Sequence, residues 1–428
     1  MSQLQAVKGM NDVLPDEIGR WRKLEERFRE VTGRYGYREV RTPVVEPTQL
    51  FVRSIGEATD VVEKEMYSFI DKGDDSLTLR PEGTAGAVRA YLEHSVYGKE
   101  PVTKWIYVGP MYRRERPAKG RYRQFYQAGA ELYGDPGPYV DAEMIDMLAT
   151  FLRELGVQDV EVLVNSLGGM ETRARYRDAL VAYFTPHRAQ LSEDSQRRLE
   201  TNPLRILDSK SESDKALAKD APSILDFLGE DDRAHFDGLR RTLDALGTAY
   251  RVEPRLVRGL DYYTRTLFEI QGHGGGLGAQ STICGGGRYD NLVQQLGGPQ
   301  TPAIGFAFGI ERILLAGGTE APAPRCDVLV VAASSAELGE AVLVARDLRA
   351  RGLIVEADLR GQSMKNQLRR ADKLGARLAV LIGGAELERG VAQLKDLASR
   401  TQHEVPRAEL TERIVALLAS PATGDAAR

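Results

Sequence analysis

The densest chemistry in the sequence lies between Tyr112 and Phe125. Six cations (Arg113, Arg114, Arg116, Lys119, Arg121, Arg123) there share one short run with a single anion, Glu115. Like charges at that density repel unless something anionic lies among them. Arginine stays charged and presents a planar fork matched to phosphate oxygens. A polyphosphate or a nucleic-acid backbone is the expected ligand class, with a solvated basic hairpin as the alternative. Turn residues at Pro117–Gly120 separate two strand-like runs, Trp105–Tyr112 and Tyr122–Tyr133, so the segment reads as a hairpin. On the second run alternate positions share a face. Arg123, Phe125, Gln127, Gly129 and Glu131 therefore line up from cation through ring and amide to carboxylate. A ligand with phosphate at one end and an NH-bearing group at the other fits that order, against the alternative of an ordinary polar outer face.

Three further segments carry candidates. Leu256–Thr264 holds Arg258 and the adjacent Tyr262 and Tyr263, with Gly259 allowing a tight path. Cys284–Asn291 holds three consecutive glycines, which either let backbone approach a ligand or form a surface turn. Ala303–Arg312 is an apolar strand turning at Gly309 into a helix that carries Glu311 and Arg312 in its first turn. Farther on, Arg360, Lys365, Arg369, Arg370, Lys373 and Arg377 stand against one acid in that stretch, Asp372. No G-x-x-x-x-G-K-[ST] loop is present. Gly274-x-Gly276-x-x-Ala279 matches the loose dinucleotide fingerprint but is not followed by a helical pattern. The five histidines have no metal-ligand spacing, and two cysteines, Cys284 and Cys326, exclude a disulfide scaffold or a cysteine-based zinc site.

The elements that must position these residues follow from periodicity. Ile18, Trp21, Leu24, Phe28 and Val31 recur at helical spacing, predicting an amphipathic helix over 16–35 with Asp16 as N-cap. Strands are expected at Tyr37–Val45, Leu77–Arg80, Val160–Asn165, Tyr250–Leu256, Thr266–Gln271 and Ala303–Phe308, and helices at Ala85–Glu93, Asp141–Leu155 and Ile310–Ala316. Residues 170–247 are polar and mostly helical, an inserted unit. After a composition break at Gly317–Pro324, strands at Val328–Ala332, Ile354–Asp358 and Leu378–Ile382 alternate with helices at 335–351 and 363–375. That pattern predicts a small three-layer α/β domain with a largely parallel sheet. The chain of 428 residues is 42% hydrophobic and 28% charged, enough for more than one core. Its net charge of −4 leaves nucleic-acid contact to local patches. No membrane span or secretory leader is expected, and a reducing cytoplasmic setting fits the two cysteines.

Together and in this order, the segments resemble the class II aminoacyl-tRNA synthetases, and within them the histidyl-tRNA synthetases. Arg41-Thr-Pro43 resembles motif 1 (around 41–47), the hairpin motif 2 (107–131) and the last segment motif 3 (303–316). Leu256–Thr264 and Gly286–Asn291 resemble the two histidine-specific signatures, and Lys8–Asp12 and Thr78–Thr84 agree as well. The resemblance implies an α+β catalytic core over 1–322, an antiparallel sheet flanked by helices, interrupted by the helical insertion. It also implies a C-terminal α/β anticodon-binding domain over 325–420, before a frayed tail at 421–428.

The implied chemistry is activation of L-histidine by ATP with Mg2+ and transfer to tRNA(His), by a homodimer with no DNA or membrane partner. In that family Arg113 and Arg258 flank the α-phosphate. Arg312 lies at the γ-phosphate end, with Arg121 and Arg123 beside it and Glu115 in the same nucleotide site, and Phe125 stacks on adenine. Glu82, Thr84 and Gln127 take the α-amino group. Glu131 and Tyr263 take the imidazole nitrogens, next to Tyr262. Arg116, Lys119, Lys365, Arg369 and Arg370 are implied tRNA contacts. Ala118 stands where many bacterial relatives have Gln, Gly272–Gly278 is unusually glycine-rich, and Gly285 replaces a common Ala, a swap expected to be harmless. A competing reading is a non-catalytic, histidine-binding regulatory paralogue of the kind that serves ATP phosphoribosyltransferase. Retention of Arg113, Arg258, Arg312 and a C-terminal domain favours the ligase.

Overall fold

The computed structural model describes residues 3–56, 59–273, 277, 281–317, 319 and 326–419. Of the linker, Gly318 and Glu320–Pro324 lie outside the described residues, as do most of Gly272–Gly278 and the tail from 421. The chain forms two compact units, Met1–Glu320 and Ala321–Arg428.

The first unit is built on an eight-stranded sheet. Its strands run, in spatial order, Arg38–Glu39, Thr103–Tyr112, Gln124–Tyr133, Ala303–Gly309, Thr282–Arg288, Thr264–Gly272, Val160–Ser166 and Arg251–Val252. The six inner strands pair antiparallel, and each edge adds a short parallel strand. The two edge strands are far shorter than the expected runs Tyr37–Val45 and Tyr250–Leu256. The first run instead breaks into Arg38–Glu39 and Val45–Pro47, and the latter joins a separate three-stranded sheet.

Alternation along the strands divides the sheet into a packed face and an open one. Ala128, Ala130, Leu132, Ile304, Phe306 and Phe308 meet Trp21, Leu24, Phe28, Leu148 and Phe151 in one buried core. Those partners come from helices Pro15–Arg34 and Pro138–Leu155. The first helix starts at Pro15 with Leu14 as N-cap, so Asp16 lies in the first turn rather than at the cap. Proline loses nothing there, because the first helical N–H has no partner in any case. The stretch 170–247 is mostly helical, but its last helix, Glu230–Leu246, adds Phe236, Leu239 and Leu243 to this same core. The consecutive glycines 285–287 are not a turn: they form the buried interior of strand Thr282–Arg288.

The second unit has its own five-stranded sheet, in order Val355–Ala357, Val328–Ala332, Leu378–Ile382, Val391–Asp396 and Gln402–Pro406. The first three pair parallel as expected. The last two pair antiparallel, so the sheet is mixed. Their polar residues (Gln393, Lys395, Gln402, Glu404) hid them, because along the two strands Ala392, Leu394 and Val405 alone are buried. Apolar residues cover both faces, Val328, Val330, Val344, Leu348 and Ile414 on one, Leu329, Val331, Ala371 and Leu381 on the other.

Candidate active site

The open face of the first sheet carries a cavity of about 210 Å³. Its walls include Glu82, Thr84, Arg113, Glu115, Arg121, Phe125, Gln127, Arg258, Tyr262, Tyr263 and Arg312. Register explains the convergence. Gln127 lies opposite Gly109 and Gly309, and Glu131 opposite Trp105 and Gly305. Glycines on this face leave room: a Cβ on Gly305 would overlap the Glu131 carboxylate, and one on Gly129 would overlap the Tyr107 ring.

At one end the groups are acidic and hydroxylic. The Glu82 carboxylate accepts the N–H groups of Thr84 (2.6 Å) and Ala85 (2.9 Å), the first donors of helix Thr84–Glu93. Gln127 accepts the Gly83 N–H at 3.1 Å. Glu131 is completely buried below them. It accepts hydrogen bonds from the Thr84 hydroxyl at 2.7 Å and from the Tyr289 hydroxyl. Burial pushes the Glu131 carboxyl up to about 8, the hydrogen bonds from Tyr289 and Thr84 opposing it. Glu82 is likewise raised by burial. Tyr262 and Tyr263 pack with ring centres 4.8 Å apart, and burial raises the Tyr263 hydroxyl to about 12, against the pull of Arg258. It remains a neutral donor over the working pH range.

At the other end are the cations. The Arg113 guanidinium lies 5.3 Å from the Phe125 ring centre, and its Nε donates to the Pro81 carbonyl at 2.8 Å. Arg121 pairs with Glu115 at 3.0 Å. Arg312 donates to the Gly120 carbonyl (3.3 Å) and the Thr282 carbonyl (2.7 Å), while burial and the neighbouring Arg121 lower its pKa. Arg258 forms an ion pair with Glu269. Arg123 is not in the cavity wall: its guanidinium donates to the carbonyls of Glu115 and Lys8, both at 3.3 Å. Arg116 and Lys119 are exposed on the hairpin loop.

Three polar cavity residues have no role assigned from the sequence. Tyr289 follows the strand glycines, and its hydroxyl reaches Glu131. Glu311 accepts the Tyr126 N–H at 2.9 Å, and burial raises its carboxyl to about 7. Thr282 joins the wall at a strand start. A hydroxyl-bearing ring two residues after three strand glycines was the available signal for Tyr289. Glu311 was marked only as a first-turn helix residue beside Arg312, and nothing local distinguished Thr282.

In the second unit Lys365 and Arg369 are exposed on helix Met364–Lys373. Arg370 pairs with Glu356 at 2.8 Å and Arg360 with Asp358 at 2.7 Å. The fold thus brings two acids to a face whose own stretch of sequence shows only Asp372.

Comparison with known proteins gives the family. The family model described as histidyl-tRNA synthetase matches residues 9–313, and one described as anticodon binding domain matches 327–417. The chain belongs to the histidyl-tRNA synthetase family. It is 60% identical over 406 residues to a histidine–tRNA ligase of Sorangium cellulosum, covering 94% of each chain. It is 51% identical to one of Anaeromyxobacter dehalogenans, covering 96% of this chain and 99% of that one. The apo S. aureus histidyl-tRNA synthetase superposes with a TM-score of 0.81 at 37% identity, over 96% of this chain and all of the other. The fold is that of the family: a sheet core with flanking helices and a C-terminal anticodon-binding domain with its own sheet.

Proposed function

We propose that the protein is a histidine–tRNA ligase. A carboxylate oxygen of L-histidine attacks the α-phosphorus of ATP, the α–β bridging bond breaks and pyrophosphate leaves. A hydroxyl at the 3′ end of tRNA(His) then attacks the adenylate carbonyl and AMP leaves. One observation carries the reading: Arg113, Arg258 and Arg312 share a cavity with Glu82, Thr84 and Gln127, and Glu131 lies just beneath. The fixed cations meet charge as it develops at the phosphates, the efficient form of such stabilisation. Phe125, which lines the cavity beside Arg113, offers adenine an aromatic surface. Glu82, Thr84 and Gln127 take the α-amino group, and Glu131 with Tyr263 takes the imidazole. Such a site leaves buried partners unpaired when another amino acid enters, which gives discrimination of roughly 10⁴ or more without editing.

Among the described residues no cluster of metal-ligating side chains occurs. Mg2+ would enter as the counter-ion of ATP and would neutralise charge on the leaving pyrophosphate. No helix among the described residues is long and apolar enough to cross a membrane. A cytoplasmic homodimer with no DNA or membrane partner completes the proposal, with Arg116, Lys119, Lys365, Arg369 and Arg370 touching tRNA. Amino-acid-dependent ATP–pyrophosphate exchange, run with each of the twenty amino acids and Mg2+, tests it. Exchange with histidine alone is expected. Exchange with a different amino acid overturns the side-chain assignment. Histidine binding without exchange moves the protein to the regulatory class.

A further inference from the structure

Two of the cavity cations depend on one short piece of strand. The Thr282 carbonyl accepts from Arg312 at 2.7 Å, and the Thr282 hydroxyl donates to Glu269 Oε1 at 2.7 Å. Gln271 Nε2 donates to that same oxygen at 2.9 Å. Glu269 is 7% exposed, and with Oε1 fastened twice its carboxylate cannot rotate freely. Oε2 is left facing Arg258, with which it pairs. The Arg258 side chain keeps a quarter of its surface (25%) open, and it lines the cavity.

The space for that guanidinium is supplied by a glycine. Gly285 lies directly opposite Glu269 in the antiparallel ladder, so the two positions share a face. A Cβ on Gly285 would overlap the guanidinium carbon of Arg258. Gly285 therefore makes the seat on which Arg258 rests in this chain.

We infer that Glu269 is the positioning residue of Arg258: its doubly anchored carboxylate, with the space over Gly285, presets the guanidinium for the α-phosphate. The inference rests on the adenylate-forming role given to Arg258 above. Burial alone would weaken the charge on Arg258, and the ion pair with Glu269 more than offsets that. An arginine held this way needs no reorganisation when charge develops, so its loss falls on the chemical step rather than on ground-state binding.

The test is histidine-dependent ATP–pyrophosphate exchange by the full-length protein. Glu269→Gln, which keeps the shape and removes the charge, is expected to lower kcat roughly 100-fold, the scale of a misplaced catalytic group. The KM values for histidine and ATP should stay near wild type. Glu269→Asp, which keeps the charge and shortens the reach, should recover part of that loss. Thr282→Val removes one of the two anchors of Glu269 Oε1 and leaves Glu269 and Arg258 intact, so it should lower kcat in part with an unchanged melting temperature; it serves as the decisive variant where Glu269→Gln melts early. Wild-type kcat in both Glu269→Gln and Thr282→Val overturns the inference alone. So does a loss that appears as equal rises in both KM values with a lower melting temperature. Absence of exchange in the wild-type protein overturns the functional reading and this inference with it.

Discussion

Glu131 shows how much one buried carboxyl can control. With its pKa near 8 it is largely protonated at neutral pH in the ligand-free protein. Its ordinary value is about 4.3, so the folded state holds the proton more tightly than the unfolded chain does. The stability this gives is fully present below the unfolded pKa and is lost as pH rises through the folded value near 8. Glu311, raised to about 7, acts in the same direction. Thermal melts of the ligand-free protein between pH 5 and 9 should therefore show a downward slope that is shallower in Glu131→Gln; parallel slopes would remove Glu131 as its source. In exchange assays the same variant should raise the histidine KM about ten- to a hundredfold, the range for losing a charged or buried hydrogen-bond partner, with the ATP KM unchanged.

Among the elements, the helical insertion does more than extend the surface. Arg173, on its helix Met170–Phe184, donates to the Tyr263 carbonyl at 3.0 Å. Asn202 donates to the Asp261 carboxylate at 3.0 Å. Both grip the segment that presents Tyr262 and Tyr263 to the cavity. Arg173→Ala should raise the histidine KM by about tenfold, a charge-assisted bond to backbone, while ATP binding stays unchanged. An unaltered histidine KM would mean that the segment holds its shape without the insertion. Strand Thr282–Arg288 makes the complementary point. Its cavity side carries Gly285 and Gly287, while Arg288 is fully buried and pairs with Asp141 at 2.7 Å and Asp290 at 3.1 Å. A signature arginine that could pass for a ligand contact is instead what ties the sheet to helix Pro138–Leu155.

For the molecule as a whole, the two units have separate cores, so they can be separated experimentally. A chain ending at Glu320 should keep histidine-dependent exchange near the wild-type rate. Its charging of tRNA should fall on the order of 100-fold, the scale of losing several phosphate contacts. Unchanged charging would remove tRNA binding from the second unit. Lys365→Ala and Arg369→Ala in the full chain should each reduce the salt dependence of tRNA affinity by about one counter-ion. Arg370→Ala should do less, because Glu356 already neutralises that charge.

What the sequence determined by itself was local. Helical spacing marked Pro15–Arg34, period-two alternation marked which residues of Gln124–Tyr133 face the cavity, and cation density marked its basic end. These signals come from neighbours along the chain, where side-chain direction follows directly from backbone geometry. The tertiary structure decided what depends on register and burial between distant segments. The Tyr289 hydroxyl on Glu131 spans 158 positions, and Asp141 meets Arg288 across 147. Arg123 turned to backbone, Glu356 and Asp358 reached the basic face, and Gly285 became the seat of Arg258. No run of sequence records which glycine lies beneath which guanidinium, because strand pairing and the desolvation of each charge exist only in the packed sheet.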